Sequence, residues 1–170
     1  MSAYILYTSG TTGKPKGVDV PHYGLVGRTE WLQHTWPLGA TNSVPQKTPV
    51  TFAISEWELF WPLCHGAKLV LAADGQHGDP QHVASLLEEH TITHSVFVPS
   101  LLDQLLDELN GRPLPALQLV IACGEPLKTS TTRACCRGLA GVELVNLYGP
   151  TEGSMTMLRI PAAPRAKRIC

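Results

Sequence analysis

The sequence predicts a three-layer α/β fold in which a mostly parallel β-sheet is flanked by helices. Short apolar runs alternate with segments of helical periodicity along the 170 residues, and this alternation is typical of β-α-β units. Four apolar runs are predicted to be strands, and they cover residues 67–72, 94–98, 117–122 and 142–147. With 44% hydrophobic residues, the chain can form one domain with a core of its own.

Helices are predicted between these strands. Asp79 followed by Pro80 is typical of a helix start, because aspartate caps the first N–H groups and proline fits the first helical position. A stripe of leucines predicts a further helix that is capped by Ser100 and stops at Asn110. Residues 130–139 and 22–35 are also predicted to be helical. The helix over 22–35 is expected to bury Leu25, Trp31 and Leu32.

Composition and charge argue against several classes of protein. The net charge is −1, so no basic excess indicates a nucleic-acid partner. No apolar run approaches the length of a membrane span, and we expect no signal peptide. The five cysteines show no metal-binding spacing. Their odd number, without a secretion signal, predicts free thiols in a cytoplasmic protein.

A loop rich in glycine, hydroxyl groups and lysine follows the short apolar run at residues 3–7, which is predicted to be a buried strand. The loop covers residues 8–17 and reads Thr-Ser-Gly-Thr-Thr-Gly-Lys-Pro-Lys-Gly. Glycine permits close approach of the backbone, while hydroxyls, N–H groups and lysines bind phosphate oxygens. The glycine spacing differs from that of the common P-loop. The loop therefore predicts a polyphosphate site of another kind, the alternative being a flexible hairpin loop.

Two polar strings follow predicted strands at their carboxyl ends. Cys-Gly-Glu-Pro covers residues 123–126, and Tyr-Gly-Pro-Thr-Glu covers residues 148–152. The carboxyl ends of neighbouring parallel strands meet at one edge of a sheet, where ligands bind in α/β folds. Tyr148 offers an aromatic face to a base, Thr151 a hydroxyl to a phosphate, and Glu152 a hard oxygen ligand to Mg²⁺. The alternative is a tight turn that exposes an acid.

Three stretches together resemble the adenylation domains of nonribosomal peptide synthetases, which belong to the adenylate-forming, AMP-binding superfamily. The loop at residues 8–17 is similar to the phosphate loop of that superfamily. Phe-Ala-Ile-Ser-Glu-Trp-Glu at residues 52–58 is similar to Phe-Asp-x-Ser-x-x-Glu, with alanine in place of aspartate, and leads into an aromatic-rich helix. Asn-Leu-Tyr-Gly-Pro-Thr-Glu at residues 146–152 matches Asn-x-Tyr-Gly-Pro-Thr-Glu. The resemblance extends over nearly the whole chain.

The resemblance implies part of the large N-terminal domain of an adenylate-forming enzyme of secondary metabolite biosynthesis. Such an enzyme activates an amino or related carboxylic acid with ATP and Mg²⁺ to acyl-AMP, and then loads the acid onto the pantetheine thiol of a carrier protein domain. The implied phosphate-binding residues are Thr8, Ser9, Gly10, Thr11, Thr12, Gly13, Lys14 and Lys16. The implied adenosine contacts are Gly124, Glu125, Asn146 and Tyr148. Thr151, at the α-phosphate, and Glu152, on Mg²⁺, are the implied catalytic residues.

The resemblance also implies a substrate pocket, formed by Ala53, Ile54, Trp57, Val96, Ile121, Cys123, Leu147, Met155 and Thr156. In the family an aspartate at the position of Ala53 pairs with the α-ammonium of an amino acid. A buried ammonium without a carboxylate is costly, on the order of several kcal/mol. The neutral pocket therefore suits an α-hydroxy, α-keto or aryl acid, unless Ala53 marks a decayed remnant. Glu56 could replace the aspartate only if its turn is helical and its face agrees.

The resemblance further implies a truncated fragment. We expect residues 1–157 to be a partial AMP-binding domain and residues 158–170 to be a basic, disordered tail outside the family pattern. The lid lysine and the ribose-binding aspartate of the family have no counterpart, so we expect the chain alone to be inactive. The alternatives are a nucleotide-binding remnant without turnover and a fragment of an acyl-CoA synthetase.

Overall fold

The computed structural model describes residues 1–9 and 13–151, and the backbone of residues 158–161. The strands in these ranges are β1 (Ser2–Thr8), β2 (Lys16–Pro21), β3 (Ser43–Gln46), β4 (Lys68–Leu71), β5 (His94–Phe97), β6 (Leu119–Ala122), β7 (Glu143–Tyr148) and β8 (Leu158–Pro161). The helices are α1 (His22–Thr35), α2 (Ser55–Cys64), α3 (Pro80–Glu89), α4 (Pro99–Leu109) and α5 (Thr129–Gly138).

The strands after α1 pair mostly in parallel. β3 pairs with β4, and a four-stranded sheet has the order β5-β6-β7-β8, in which β8 alone is antiparallel to its neighbour. The amide of Thr93, just before β5, donates to the carbonyl of Ser43 in β3 at 3.0 Å, so β3 runs beside β5. The helices between these strands make the crossovers that parallel pairing requires. The predicted α/β class with a mostly parallel sheet is confirmed.

The sheet is buried on both faces, with alternate residues in different layers. In β6, Val120 and Ala122 pack in a cluster with apolar side chains of α3, α4 and α5. Leu119 and Ile121 pack instead with side chains of α1 and α2. This alternation follows from the period of two along a strand. It produces the predicted three layers, with helices on each side of the sheet.

The second of these two sets, which we call the α1–α2 cluster, is the one that matters for the site. Its buried members are Leu32, Trp36, Leu38, Val44, Ala53, Ile54, Trp57, Trp61, Ala67, Val96, Leu119, Ile121, Cys123, Val145 and Leu147.

β1 and β2 form a separate antiparallel hairpin. The prediction of a buried strand at residues 3–7 is wrong, because Ile5 is 57% and Tyr7 is 73% exposed. β2 is the strand that pairs with β1 in the described ranges, so the hairpin has no second sheet against its outer face. Leu6 points the other way and packs against the α1–α2 cluster. The strand is therefore amphipathic, with one face on the core.

The helix starts differ from expectation at one place. Asp79 caps α3 as predicted, since its carboxylate accepts a hydrogen bond from the N–H of Gln81 at 3.0 Å. Ser100 does not cap α4, because Val98 occupies the N-cap position and Ser100 lies inside the first turn. The side chain of Glu125 takes over the capping role by accepting from the N–H of Ser100 at 3.0 Å. A distant residue thus supplies the cap that the local sequence was expected to provide.

The residues that α1 buries agree only partly with the prediction. Leu32 is fully buried, as expected, whereas Leu25 is half-buried and Trp31 remains 36% exposed. Trp31 packs edge-on against Trp36 at a ring-centroid distance of 5.7 Å, near the end of the helix. Arg28 takes a buried position one turn before Leu32. The prediction for Trp31 was wrong, since a charged side chain occupies the core-facing stripe instead.

Four residues of the expected tail lie in a strand. Leu158–Pro161 forms β8, whose backbone pairs with β7 from Val145 to Tyr148. The remaining residues of that tail lie outside the described ranges, and the division of the chain at residue 157 stays a prediction. Among the described helices, none has the length and apolar character needed to cross a membrane.

The cysteines are not all free thiols. Cys64, Cys123 and Cys135 are free, as predicted. Cys136 is disulfide-bonded, so the prediction is wrong for that residue. Cys135 is fully buried in α5, whereas its neighbour Cys136 is half-buried.

Candidate functional site

The turn between β1 and β2 carries the predicted phosphate loop. Thr8 ends β1 and Lys16 begins β2, and the two residues are partners in the hairpin register, so the loop is closed at its base. Gly13 has a φ of +80°, a backbone conformation that favours glycine. Among the described residues beyond its chain neighbours, no atom lies within 4 Å of the place where a Cβ would stand. Gly10, Thr11 and Thr12 lie outside the described residues.

The polar groups of this loop are accessible to a ligand. Ser9, Lys14 and Lys16 are exposed, and Thr8 is half-buried. Two ammonium groups and two hydroxyls therefore lie within nine residues of one another on a hairpin turn. Such a set suits an anion with several oxygens, because lysine supplies charge and hydroxyls supply hydrogen bonds.

The two polar strings that follow β6 and β7 leave the sheet at the same edge. Ala122 at the end of β6 pairs in register with Asn146 in β7. Tyr148, two residues further, is 57% exposed, so its side chain is accessible to a ligand. Thr151 is half-buried, and Glu152 lies outside the described residues. The juxtaposition expected from the strand order is therefore present.

The turn after β6 is held in a glycine-specific shape. Gly124 has a φ of +86°, and a Cβ there would lie 3.3 Å from Cγ1 of Val98. The next residue, Glu125, accepts two hydrogen bonds from Ser100, one from its N–H and one from its hydroxyl, each at 3.0 Å. These bonds fix the turn against the start of α4. Gly124 is exposed at this edge of the sheet.

The predicted pocket residues are brought together. Ala53, Ile54, Trp57, Val96, Ile121, Cys123 and Leu147 all belong to the α1–α2 cluster, and none is more than 6% exposed. Burial raises the pKa of the Cys123 thiol to about 12, so this sulfur is neutral at physiological pH. Met155 and Thr156 lie outside the described residues. The described part of the pocket therefore carries no charge of its own, and its polar side-chain groups are the Cys123 thiol and the buried indole N–H of Trp57.

An ion pair between α1 and α2 borders this cluster. The Arg28 guanidinium contacts the Glu56 carboxylate, and both side chains are buried. The N–H of Glu56 donates to the carbonyl of Ala53 at 3.2 Å, so the turn between them is helical. The Glu56 side chain nevertheless faces Arg28 on α1. Burial raises the pKa of Glu56, with a smaller opposing effect of a hydrogen bond from the Trp57 side chain, and burial lowers the pKa of Arg28.

Comparison with known proteins identifies the family. A protein-family model described as "AMP-binding enzyme" matches residues 1–169. The chain belongs to the AMP-binding enzyme family. This AMP-binding chain is similar to vanchrobactin synthetase VabF of Vibrio anguillarum, with 40% identity over 167 residues. The match covers 95% of this chain and only 6% of that synthetase.

Solved structures with the same fold include adenylation domains. The Vibrio cholerae adenylation domain AlmE, in complex with glycyl-adenosine-5'-phosphate, matches with a TM-score of 0.85 and 29% identity, over 99% of this chain and 32% of that one. The AMPPNP-bound form of the nonribosomal peptide synthetase FmoA3 (S1046A) matches with a TM-score of 0.88 and 25% identity, over 98% of this chain and 18% of that one. The AMP-binding chain thus corresponds to a part of an adenylation domain, about a third of the AlmE chain.

The sequence did not single out one buried charge of this AMP-binding chain. Lys47 follows β3 and is buried, with its Nζ 3.1 Å from Oε1 of Glu58. Glu58 was recognised as part of the string at residues 52–58, without a partner. The sequence feature that could have indicated this ion pair is a lysine between the apolar strand β3 and the string at residues 52–58. A one-dimensional pattern does not show that two such charges meet in the core.

Proposed function

We propose that this chain supplies the nucleotide- and acid-binding part of an adenylation domain that activates a carboxylic acid with ATP to acyl-AMP. One observation carries the proposal: the predicted pocket residues form one buried cluster below the sheet edge where Gly124 and Tyr148 lie. The likeness to a domain that holds an aminoacyl adenylate and to a synthetase form that binds AMPPNP supports ATP as the nucleotide.

On the nucleotide side, the hairpin loop is proposed to bind the β- and γ-phosphates. The proposed phosphate ligands are Thr8, Ser9, Gly10, Thr11, Thr12, Gly13, Lys14 and Lys16. Tyr148 is proposed to stack on the adenine, and its exposure supports this role. Gly124, Glu125 and Asn146 are proposed to line the adenosine, and the exposure of Gly124 at the sheet edge supports this role.

Charge stabilisation during the reaction is proposed for Thr151 and Glu152. The Thr151 hydroxyl would donate to the α-phosphate, where negative charge accumulates as the acid attacks. Glu152 would hold Mg²⁺, which neutralises phosphate charge when bound. One carboxylate together with substrate phosphates is a common donor set for Mg²⁺. The described residues include no group of three or more histidine, cysteine or acidic side chains able to hold a metal ion.

The acid itself is proposed to lack an α-ammonium group. Ala53 provides no charge, and Glu56 is engaged by Arg28. The described pocket residues carry no charge, so an α-hydroxy, α-keto or aryl acid would bring no ammonium that lacks a partner. A second step, in which the pantetheine thiol of a carrier domain accepts the acyl group, is proposed with it, and the likeness to a nonribosomal peptide synthetase supports this step. A cytoplasmic location is proposed with this role.

The proposal is tested in two steps. Isothermal titration of the 170-residue chain with ATP and Mg²⁺ measures nucleotide binding, and saturable binding is expected. Pyrophosphate exchange is then measured in a chimaera, in which the chain replaces the matching third of the Vibrio cholerae domain. The unmodified domain, assayed with glycine, serves as the positive control. Absence of ATP binding would contradict the proposal, and ATP binding without exchange for any acid would favour a non-catalytic remnant.

A further inference from the structure

A buried lysine and a buried glutamate form a closed network beside the pocket. Lys47 Nζ donates to Oε1 of Glu58 at 3.1 Å and to the carbonyl oxygen of Val96. The same ammonium lies 4.3 Å from the centroid of the Phe97 ring. The side chains of Lys47 and Glu58 are 2% and 0% exposed.

The carboxylate of Glu58 is also fully hydrogen-bonded. Its Oε2 accepts from the N–H of Lys47 at 3.0 Å and from the N–H of Thr48 at 2.8 Å. Its Oε1 accepts from the Thr48 hydroxyl at 2.9 Å, in addition to the Lys47 ammonium. Four donors thus fill the four acceptor positions of a carboxylate. The carboxylate retains no acceptor position for a ligand, and the buried ammonium is held by Glu58, Val96 and the Phe97 ring, so the elements that the pair connects indicate its role.

The pair connects the elements that carry the pocket. Glu58 is on α2, whose first turn carries Trp57 and follows Ala53, whereas Val96 is a pocket residue on β5. Lys47 follows β3 and bonds both elements at once. The pair is also close enough to Cys123 for Lys47 to lower, and Glu58 to raise, the pKa of its thiol, although burial dominates. A shift of α2 relative to β5 would therefore break these bonds and change the pocket.

We propose that Lys47 and Glu58 are positioning residues, which hold the α2 side of the acid pocket at a fixed distance from β5. Burying two charges is costly, and a well-packed apolar pair of similar volume is often as stable. Stability alone is thus a weak reason for an ion pair at this place. The fixed hydrogen-bond geometry provides what apolar packing does not, namely a defined position of α2. The identity of the pocket as an acid site rests on the proposed function.

The test compares variants of the full 170-residue chain by amide hydrogen exchange. Lys47→Met combined with Glu58→Gln removes both charges and leaves none buried and unpaired. Wild-type protein is measured at the urea concentration that gives it the same global stability as this variant. We expect amides in residues 53–58 and 94–98 to exchange on the order of tenfold faster in the variant, with α4 unchanged. Arg112→Met with Glu88→Gln, which removes an exposed ion pair, is the matched control.

Equal exchange patterns at matched stability would overturn the inference, because the pair would then be merely stabilising. A second measurement, ligand-observed NMR with matched hydroxy, keto and amino acids, is expected to show weaker discrimination in the double variant than in the wild type. If the wild-type chain binds no acid while exchange increases at residues 53–58 and 94–98, the positioning role stands and the proposed function fails. If the variant exchanges faster at residues 53–58 and 94–98 but discriminates among the acids as the wild type does, the pair does not act on the pocket.

Discussion

The guanidinium of Arg28 on α1 contacts the carboxylate of Glu56 on α2, and the two side chains are 5% and 4% exposed. Glu56 lies one helical turn after Ala53, the position at which the sequence resemblance implies an aspartate in related domains. Its charge is already balanced by Arg28. The pocket therefore has no carboxylate available for an α-ammonium among the described residues.

This ion pair predicts an asymmetric response to substitution. Arg28→Met leaves the Glu56 carboxylate buried without a partner, and we expect unfolding free energy to fall by about 3–5 kcal/mol. Arg28→Met combined with Glu56→Gln removes both charges, and we expect a change within about 1 kcal/mol of wild type. Urea unfolding of the three proteins measures both values. A double variant as unstable as the single one would show that the two side chains do not act as a pair.

The loop lysines are expected to contribute to binding of the ATP phosphates and not to binding of the carboxylic acid. Lys14→Ala and Lys16→Ala should each weaken ATP binding by the 170-residue chain, with a smaller salt dependence, because each removes an exposed positive charge. Binding of the carboxylic acid should be unchanged. Lys68→Ala, at an exposed lysine of β4, is the control. Isothermal titration at two salt concentrations measures the effect, and ATP affinities that match the control would show that the loop is not the phosphate site.

His94 predicts a loss of stability in mild acid. It packs edge-on against Trp61 and its Nδ1 lies 2.8 Å from Oγ1 of Thr93, and burial lowers its pKa to about 4. The unfolded chain takes up a proton below about pH 6.5, whereas the folded chain does so only near pH 4. The contribution of His94 is therefore fully present above pH 6.5 and is lost as the pH falls towards 4, by up to about 1.4 kcal/mol per pH unit.

His94→Phe keeps a ring against Trp61 and removes the titration. Between pH 6.5 and 4.5, we expect the slope of unfolding free energy against pH to be smaller in this variant. The difference corresponds to the uptake of up to about one proton on unfolding. His77→Phe, at an exposed histidine, is the control and should retain the wild-type slope. Equal slopes for His94→Phe and wild type would mean that His94 is already charged in the folded state.

Local patterns were sufficient to predict the layers and the edge of the sheet. The alternation of strands and helices gave the parallel run β5-β6-β7, and strand ends then placed the turn of Gly124 beside that of Tyr148. The pocket positions came from the resemblance, and seven of them do meet in one cluster. These features depend on short-range periodicity and on strand order, both of which are visible in a sequence.

Features that depend on contacts between distant residues were missed. Lys47 and Arg28 are buried because Glu58 and Glu56 meet them in space, and nothing in their immediate neighbourhoods specifies these partners. Glu125 likewise caps α4 from 25 residues away, in place of the local Ser100. The exposure of β1 depends on the strands that pair with it. The apolar sequence of β1 itself does not specify those strands.

The central claim is that the alanine at position 53 selects an acid without an α-ammonium. Pyrophosphate exchange by the chimaeric Vibrio cholerae domain tests it most directly, with L-leucine compared against its α-hydroxy and α-keto analogues. We expect kcat/KM for one of the two analogues to exceed that for leucine by about tenfold or more, since an unpaired buried ammonium costs at least 1.4 kcal/mol. Ala53→Asp should reverse the order. Preferential activation of leucine by the Ala53 protein would contradict the account, and activity that arises only with Ala53→Asp would identify a decayed pocket.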